Sequence, residues 1–338
     1  MTERVLVTGI SGYIGQHIAA ELLRSGYEVI GTVRSKTKIE STAAAIATVA
    51  PADRLSFAET DLLSDSGWND AMSGCTYVMH VASSFILTEP KDENDVIAPA
   101  VRGTVRVIEA AQRAGVARLV LTSSTFAMVA GRNNGHYGPD SWSDTTANIG
   151  AYAKSKTLAE RAAWEAVQGG GMELSVINPG GVSGPPLDPE LTSASVSMMS
   201  DMIRGKMPML PDIALNVVDV RDVAKLHVKA MTTPLAAGQR FIAATSDPVP
   251  YTELAEILKQ AGYSRVSTRK APTLLLKAMG LFSREARGAV PMLGKRTTLD
   301  TTTTSEVLDW HATPMKTSFL DMAASLSTQG TDEQRISA

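Results

Sequence analysis

Tyr152 and Lys156 stand four residues apart in the run Tyr152-Ala153-Lys154-Ser155-Lys156. In a helix the two side chains would share a face, because positions i and i+4 stack one turn apart. A phenol with an ordinary pKa of about 10 is a poor proton donor at neutral pH. A neighbouring ammonium stabilises the phenolate and lowers that value, so the pair could act as a general acid toward a carbonyl oxygen. Taken alone, the same spacing also describes a plain surface contact. A third group is needed, and Thr122-Ser123-Ser124 supplies it at the end of the apolar run Leu119-Val120-Leu121. Open α/β sheets bind ligands beyond the carboxyl ends of their strands. Ser124 is therefore the candidate hydroxyl for the same oxygen, with closure of a turn as its alternative task.

A second constellation lies near the start of the chain. Gly9, Gly12 and Gly15 form G-x-x-G-x-x-G between a β-branched run (5–7) and a helical pattern (15–24). That strand–turn–helix context is what a dinucleotide-binding turn requires. Its glycines allow close backbone approach to a pyrophosphate, and the helix start offers free N–H groups. Ile10, Ser11, Tyr13 and Ile14 complete the turn. In NAD-binding versions an acidic residue about 20 positions on receives the ribose 2′-hydroxyl. Here the second strand pattern ends Thr32-Val33-Arg34-Ser35-Lys36, with Lys38 close by. Arg34 and Lys38 suit a 2′-phosphate, which favours NADP (NADPH) over NAD. Asp61 and Leu62 follow the third strand pattern, where an acid can cap an adenine amino group.

The elements that must position these residues alternate. Strand patterns at 5–7, 28–33, 55–57, 77–81, 119–122 and 174–177 are separated by helical ones at 15–24, 42–49, 96–114 and 149–168. Such alternation argues for βαβ units. The expected fold is α/β, a doubly wound parallel sheet (Rossmann) with a smaller C-terminal α/β substrate lobe. Residues 1–180 form the dinucleotide-binding domain, with a return segment near 212–231. Residues 180–189, rich in Gly and Pro, read as a loop. The lobe takes 181–211 and 232–330, and 331–338 read as a frayed tail.

Composition narrows the partners. The 338 residues carry a net charge of -3, which does not suggest a nucleic-acid or anionic-membrane binder. No apolar run approaches the ~20 residues of a membrane helix, and the start lacks the pattern of a signal peptide. The expectation is a cytoplasmic protein, monomer or homodimer, acting on a small molecule. The single cysteine, Cys75, precludes an internal disulfide and reads as buried rather than reactive. His80 ends a strand and reads as a core residue, and His136 and His227 have no second ligand at metal spacing, so no metal is expected. Candidate substrate contacts are Phe126, Val129 and Tyr137 after the catalytic strand, Phe85 before the helical pattern at 96–114, and Met198 and Met202 in the lobe. Trp142 is a further candidate wall, and methionines in such a cluster more often belong to a core.

Taken together, these motifs resemble the extended branch of the short-chain dehydrogenase/reductases, near the plant dihydroflavonol reductases and related microbial carbonyl reductases. The resemblance covers residues 3–230. It rests on Val7-Thr8-Gly9-Ile10-Ser11-Gly12-Tyr13-Ile14-Gly15, Thr32-Val33-Arg34, His80-Val81-Ala82-Ser83, Leu121-Thr122-Ser123-Ser124, Tyr152 to Lys156, Asn178-Pro179-Gly180-Gly181-Val182-Ser183-Gly184-Pro185 and Val218-Asp219-Val220-Arg221-Asp222-Val223-Ala224. It implies that Gly9 to Gly15 hold the pyrophosphate, Arg34 the 2′-phosphate, and Asp61 and Leu62 the adenine. It implies that Val81, Ala82 and Ser83 line the nicotinamide-side ribose, with Thr122 nearby, and that Pro179, Gly180, Gly181 and Val182 support the carboxamide. Tyr152 would donate the proton, Lys156 hold the ribose hydroxyls and Ser124 polarise the carbonyl. Val129, five residues past Ser124, departs from the polar residue that plant dihydroflavonol reductases carry there, which argues against a dihydroflavonol substrate.

The sequence therefore points to an NADPH-dependent carbonyl reductase or alcohol dehydrogenase for an apolar or aromatic small molecule. The rival is an NAD-dependent sugar epimerase or dehydratase, against which Arg34 argues. From another class, a non-catalytic NADP-sensing interaction protein would have no use for Ser124, Tyr152 and Lys156 together.

Overall fold

The computed structural model describes residues 2–83, 90–188 and 190–336, so Phe85 lies outside the described residues. β1 (Arg4–Thr8) shows how the central layer forms. Successive side chains point to opposite faces, so Val5 and Val7 enter one core and Leu6 the other. All three are fully buried, as a strand covered on both sides demands. The chain then alternates through α1 (Tyr13–Arg24), β2 (Glu28–Val33), α2 (Ile39–Ala47), β3 (Leu55–Glu59), α3 (Trp68–Met72), β4 (Tyr77–His80), α4 (Asn94–Arg113) and β5 (Arg118–Thr122). After β5 come α5 (Phe126–Val129), β6 (Gly135–Tyr137), α6 (Ala151–Ala166) and β7 (Glu173–Pro179). The second half holds β8 (Gly181–Ser183), α7 (Ala194–Ile203), β9 (Ala214–Leu215), β10 (Val217–Asp219), α8 (Val220–Thr232) and β11 (Arg240–Ala243). It ends with β12 (Val249–Pro250), α9 (Tyr251–Gln260), α10 (Thr273–Met279), α11 (Arg284–Ala289), β13 (Thr297–Leu299), α12 (Thr302–Val307) and α13 (Met315–Ile336).

Seven parallel strands in the order β11-β7-β5-β4-β1-β2-β3 make the main sheet. The order reverses between β1 and β4, the switch point at which doubly wound sheets open a ligand crevice. Thr8 pairs with Thr32 on one side and His80 on the other, so three carboxyl ends stand level there. α1 and α8 cover one face with Ile18, Leu22, Val223 and Leu226. The other face carries Trp68, Val107, Ile108 and Ala163 from α3, α4 and α6.

The lobe has its own core of Val196, Met199, Met202, Val220, Leu254, Leu258, Phe319 and Met322. It grips the main sheet through β8, which leaves β7 at once and pairs in parallel with β10. Asp219 then caps α8 through the Arg221 amide, and the Arg221 guanidinium bridges Asp219 and Asp321 of α13.

Three boundaries differ from the sequence reading. Residues 181–183, expected in a loop, form β8 because Val217 to Asp219 offer them a paired edge. β11, expected in the lobe, is the outermost strand of the main sheet, where Phe241 and Ala243 join the same core as Ile177. The helix of the C-terminus runs to Ile336, through residues expected to fray. Among the described residues, no helix is long and apolar enough to cross a membrane.

Candidate active site

The site is assembled at the carboxyl ends of β1, β4, β5 and β7. Ser123 and Ser124 leave β5 tied to its neighbour by the Ser123 amide on the Ile177 carbonyl and the Thr125 amide on the Pro179 carbonyl. The Ser124 oxygen accepts the Phe126 amide at 3.1 Å. Its hydroxyl bonds the Tyr152 phenol across 28 residues of chain, and that bond lowers the phenol's pKa against the larger upward push of burial. Phe126 packs edge-on against Tyr152, with centroids 5.9 Å apart. Ser124 is buried, while Tyr152, Lys156 and Phe126 are half-buried. Ser124 and Tyr152 thus meet, with Phe126 packed on the phenol ring, while the Lys156 amine reaches the end of β5 at the Thr122 carbonyl.

One electrostatic expectation is corrected. The Lys156 Nζ turns to the Thr122 carbonyl at 3.3 Å, and the influences on the Tyr152 phenol are burial, which raises it, and the Ser124 bond, which lowers it. Burial dominates, so the phenol is raised and holds its proton at neutral pH. The same burial lowers the Lys156 amine to about 8, which leaves it mostly ammonium there. The Thr122 hydroxyl is engaged by His227. His227 Nδ1 can only donate to the Val223 carbonyl at 2.7 Å, so its Nε2 accepts from the Thr122 hydroxyl, also at 2.7 Å. Burial keeps His227 neutral, near 4.

At the switch point, the Thr8 hydroxyl accepts the amides of Val81 (3.1 Å) and Ala82 (3.0 Å). It therefore donates to His80 Nδ1 at 2.8 Å, a ring that burial holds neutral, near 3. Thr8 and His80 seat the 81–83 segment against the glycine turn. That turn fits a pyrophosphate. Gly9 has φ +67°, and a Cβ there would lie 2.8 Å from the Ala82 backbone. A Cβ on Gly15 would lie 2.3 Å from the Gly9 carbonyl. Gly12 starts α1 with no side-chain cap and no acid in the first turn, so the helix's first amides face outward unneutralised. Ile10 is buried under the turn, and Ser11 and Ile14 are half-buried on it. Tyr13 instead turns its phenol to the Gly184 carbonyl and belongs to the lobe core.

Arg34 and Lys38 are exposed past the end of β2, on either side of a turn that Ser35 caps. The Asp61 carboxylate accepts the Leu63 amide at 2.9 Å, and Leu62 packs against Gly103 of α4. Pro179 to Val182 lead from β7 into β8. The Gly181 amide bonds Asn216, and a Cβ on Gly180 would lie 2.0 Å from the Asn216 carbonyl. Met202 is buried in the lobe core with Met199, and Met198 packs on that core half-buried. Tyr137 donates to the Asn133 carbonyl at 2.8 Å, and with Val129 it packs on Met128, Ile242 and Leu299. Cys75 is buried and its thiol raised to about 11. Among the described residues no cluster of His, Cys, Asp or Glu could hold a metal.

Sequence reading missed Thr8, Asn178, Arg240 and Glu160. Glu160 alone carried a local signal, since it continues the Tyr152–Lys156 face by four more residues.

The molecule is a doubly wound α/β protein with a glycine turn and a Ser124–Tyr152 bond at the carboxyl ends of its strands. A model of the NAD dependent epimerase/dehydratase family matches residues 5–243. The chain belongs to that family, the extended branch of the short-chain dehydrogenase/reductases. It is 31% identical over 266 residues to a Medicago truncatula protein named cinnamoyl-CoA reductase CAD2, spanning 76% of this chain and 80% of that one. It is 31% identical over 252 residues to a Zea mays dihydroflavonol 4-reductase, spanning 72% and 70%. The structure of yeast methylglyoxal/isovaleraldehyde reductase Gre2 complexed with NADPH superposes with a TM-score of 0.80 at 24% identity, covering 97% of this chain and 99% of that one.

Proposed function

We propose that this protein is an NADPH-dependent reductase of ketones or aldehydes with an apolar or aromatic body. The observation that carries the reading is the Ser124–Tyr152 hydrogen bond, with Lys156 one turn along and the glycine turn at the same end of the sheet. Relatives named as reductases and a fold neighbour complexed with NADPH support it. Bound NADPH supplies the hydride that turns the carbonyl carbon into a carbinol carbon. Gly9, Gly12 and Gly15 leave room for the pyrophosphate, and Arg34 meets the 2′-phosphate. Tyr152 delivers its phenolic proton to the carbonyl oxygen as that oxygen gains charge. Ser124 donates a hydrogen bond to the same oxygen and holds it in reach. The Lys156 ammonium, held at the end of β5 by the Thr122 carbonyl, orients the ribose hydroxyls. Val81, Ala82, Ser83 and the stretch from Pro179 to Val182 flank the nicotinamide end. Phe126 supplies the apolar wall that selects for an apolar body on the substrate.

The test is NADPH oxidation over a panel of chemically diverse aldehydes and ketones, repeated with NADH. Faster turnover with NADPH on at least one apolar or aromatic carbonyl is expected. Tightly held NAD in the purified protein, with no oxidation over the panel, would instead favour epimerase or dehydratase chemistry.

A further inference from the structure

Glu160 lies one turn beyond Lys156, so Tyr152, Lys156 and Glu160 follow at four-residue intervals along one face of α6. Its side chain is fully buried against Arg240. One carboxylate oxygen takes the Arg240 Nε–H. The other takes the Ser123 hydroxyl and, at 2.9 Å, the Asn178 amide. Asn178 Nδ2 also donates to the Ser124 carbonyl at 3.2 Å. Arg240 is held from its far side by the Pro139 and Ser141 carbonyls and lies 4.0 Å from the Trp142 ring centroid. One carboxylate thereby ties α6 to β5, β7 and β11, beside the serine that meets Tyr152.

Only donors converge on this group, so both carboxylate oxygens act as acceptors. Stability alone does not account for it, because desolvation offsets most of the attraction within a buried ion pair. We infer that Glu160 is a positioning residue for the reaction: clamped and ionised, it fixes the Ser123–Ser124 corner against Tyr152 and supplies the anion beside Lys156. This role rests on the carbonyl reductase reading. Of the two influences on the Lys156 amine, burial pulls it down and Glu160 holds it up. The surrounding groups leave Glu160 in that position. His80 of β4 and His227 of α8 are neutral by burial. Arg240 of β11 is paired with Glu160 itself, and Tyr152 retains its proton. On α4, which packs along α6, Asp95, Arg102, Glu109 and Arg113 are exposed and Arg106 is paired with Asp65. At the start of α4, Glu93 is paired with Lys154.

Competitive acetylation of the Lys156 amine in the full-length protein, followed by mass spectrometry across neutral to alkaline pH, reads its titration without any turnover. Glu160→Gln should lower that titration by about one pH unit, and the alkaline limb of carbonyl reduction should move down with it. Glu165→Gln removes the same charge from an exposed position of the same helix and should change neither. Glu160→Asp should restore the titration while kcat stays reduced. Ser123→Ala cuts the hydroxyl link but keeps the charge, so kcat should fall several-fold with the Lys156 titration in place. An unmoved titration in Glu160→Gln overturns the role. Where that variant does not fold, wild-type kcat in Ser123→Ala overturns it. A moved titration in a wild-type background that reduces no carbonyl would instead remove the reductase reading.

Discussion

The glycine turn and the outer edge of the lobe show opposite uses of small and apolar residues. In the turn, Gly9 and Gly15 have no space for a methyl group, Ile10 is sealed beneath them, and the conformation is fixed from all sides. At residues 273–282 the sequence is richer in apolar side chains, yet none on α10 is buried. Leu274 is 83% exposed and Phe282 90%. A seven-residue helix that is apolar nearly all round cannot bury every face against one neighbour. Constraint therefore tracks contacts rather than hydrophobicity, and the chemistry is built where constraint is high.

Substitutions sharpen this contrast. Gly15→Ala forces its Cβ onto the Gly9 carbonyl, so NADPH binding, followed by fluorescence, should be lost altogether. Within the lobe, Met202→Ala empties a buried position and should cost about 2–5 kcal/mol in denaturant unfolding. Arg34→Ala removes the cation expected at the 2′-phosphate. A hydrogen bond to a charged group is worth roughly 1.5–3 kcal/mol, so the ratio of NADH to NADPH dissociation constants should shrink on the order of 10- to 100-fold. The double variant Leu274→Ser/Phe282→Ser should stay within about 0.5 kcal/mol of wild type. A large loss of stability there would mean that the exposed segment is covered in solution.

Much of this contrast is legible in the sequence, to the extent that the interactions are local. The glycine turn declares itself through three glycines between a strand and a helix, and Tyr152 and Lys156 through a single helical interval. Ser124 is found because strand ends are where such sheets bind ligands. The supporting polar groups are another matter. Thr8 and His80 are 72 residues apart, and Glu160 and Arg240 are 80 apart. Only folding makes them neighbours, and no spacing rule connects them. The same holds for β11, whose short run Arg240 to Ala243 reads as lobe until it pairs with β7. Met202 is named as a pocket candidate for a different reason, since a methionine on an amphipathic helix suits a pocket as well as the core where it more often lies. The direction of the Tyr152 shift is set by burial, which i,i+4 spacing does not determine.

The central claim is that Ser124, Tyr152 and Lys156 form one proton-delivering unit beside a bound coenzyme. Tyr152→Phe tests it most directly, because it removes the transferable proton and leaves the ring that packs on Phe126. With a carbonyl that the wild type reduces, turnover should fall by about 100- to 10,000-fold, while NADPH titration by fluorescence gives an unchanged dissociation constant. Turnover at the wild-type rate would contradict the account.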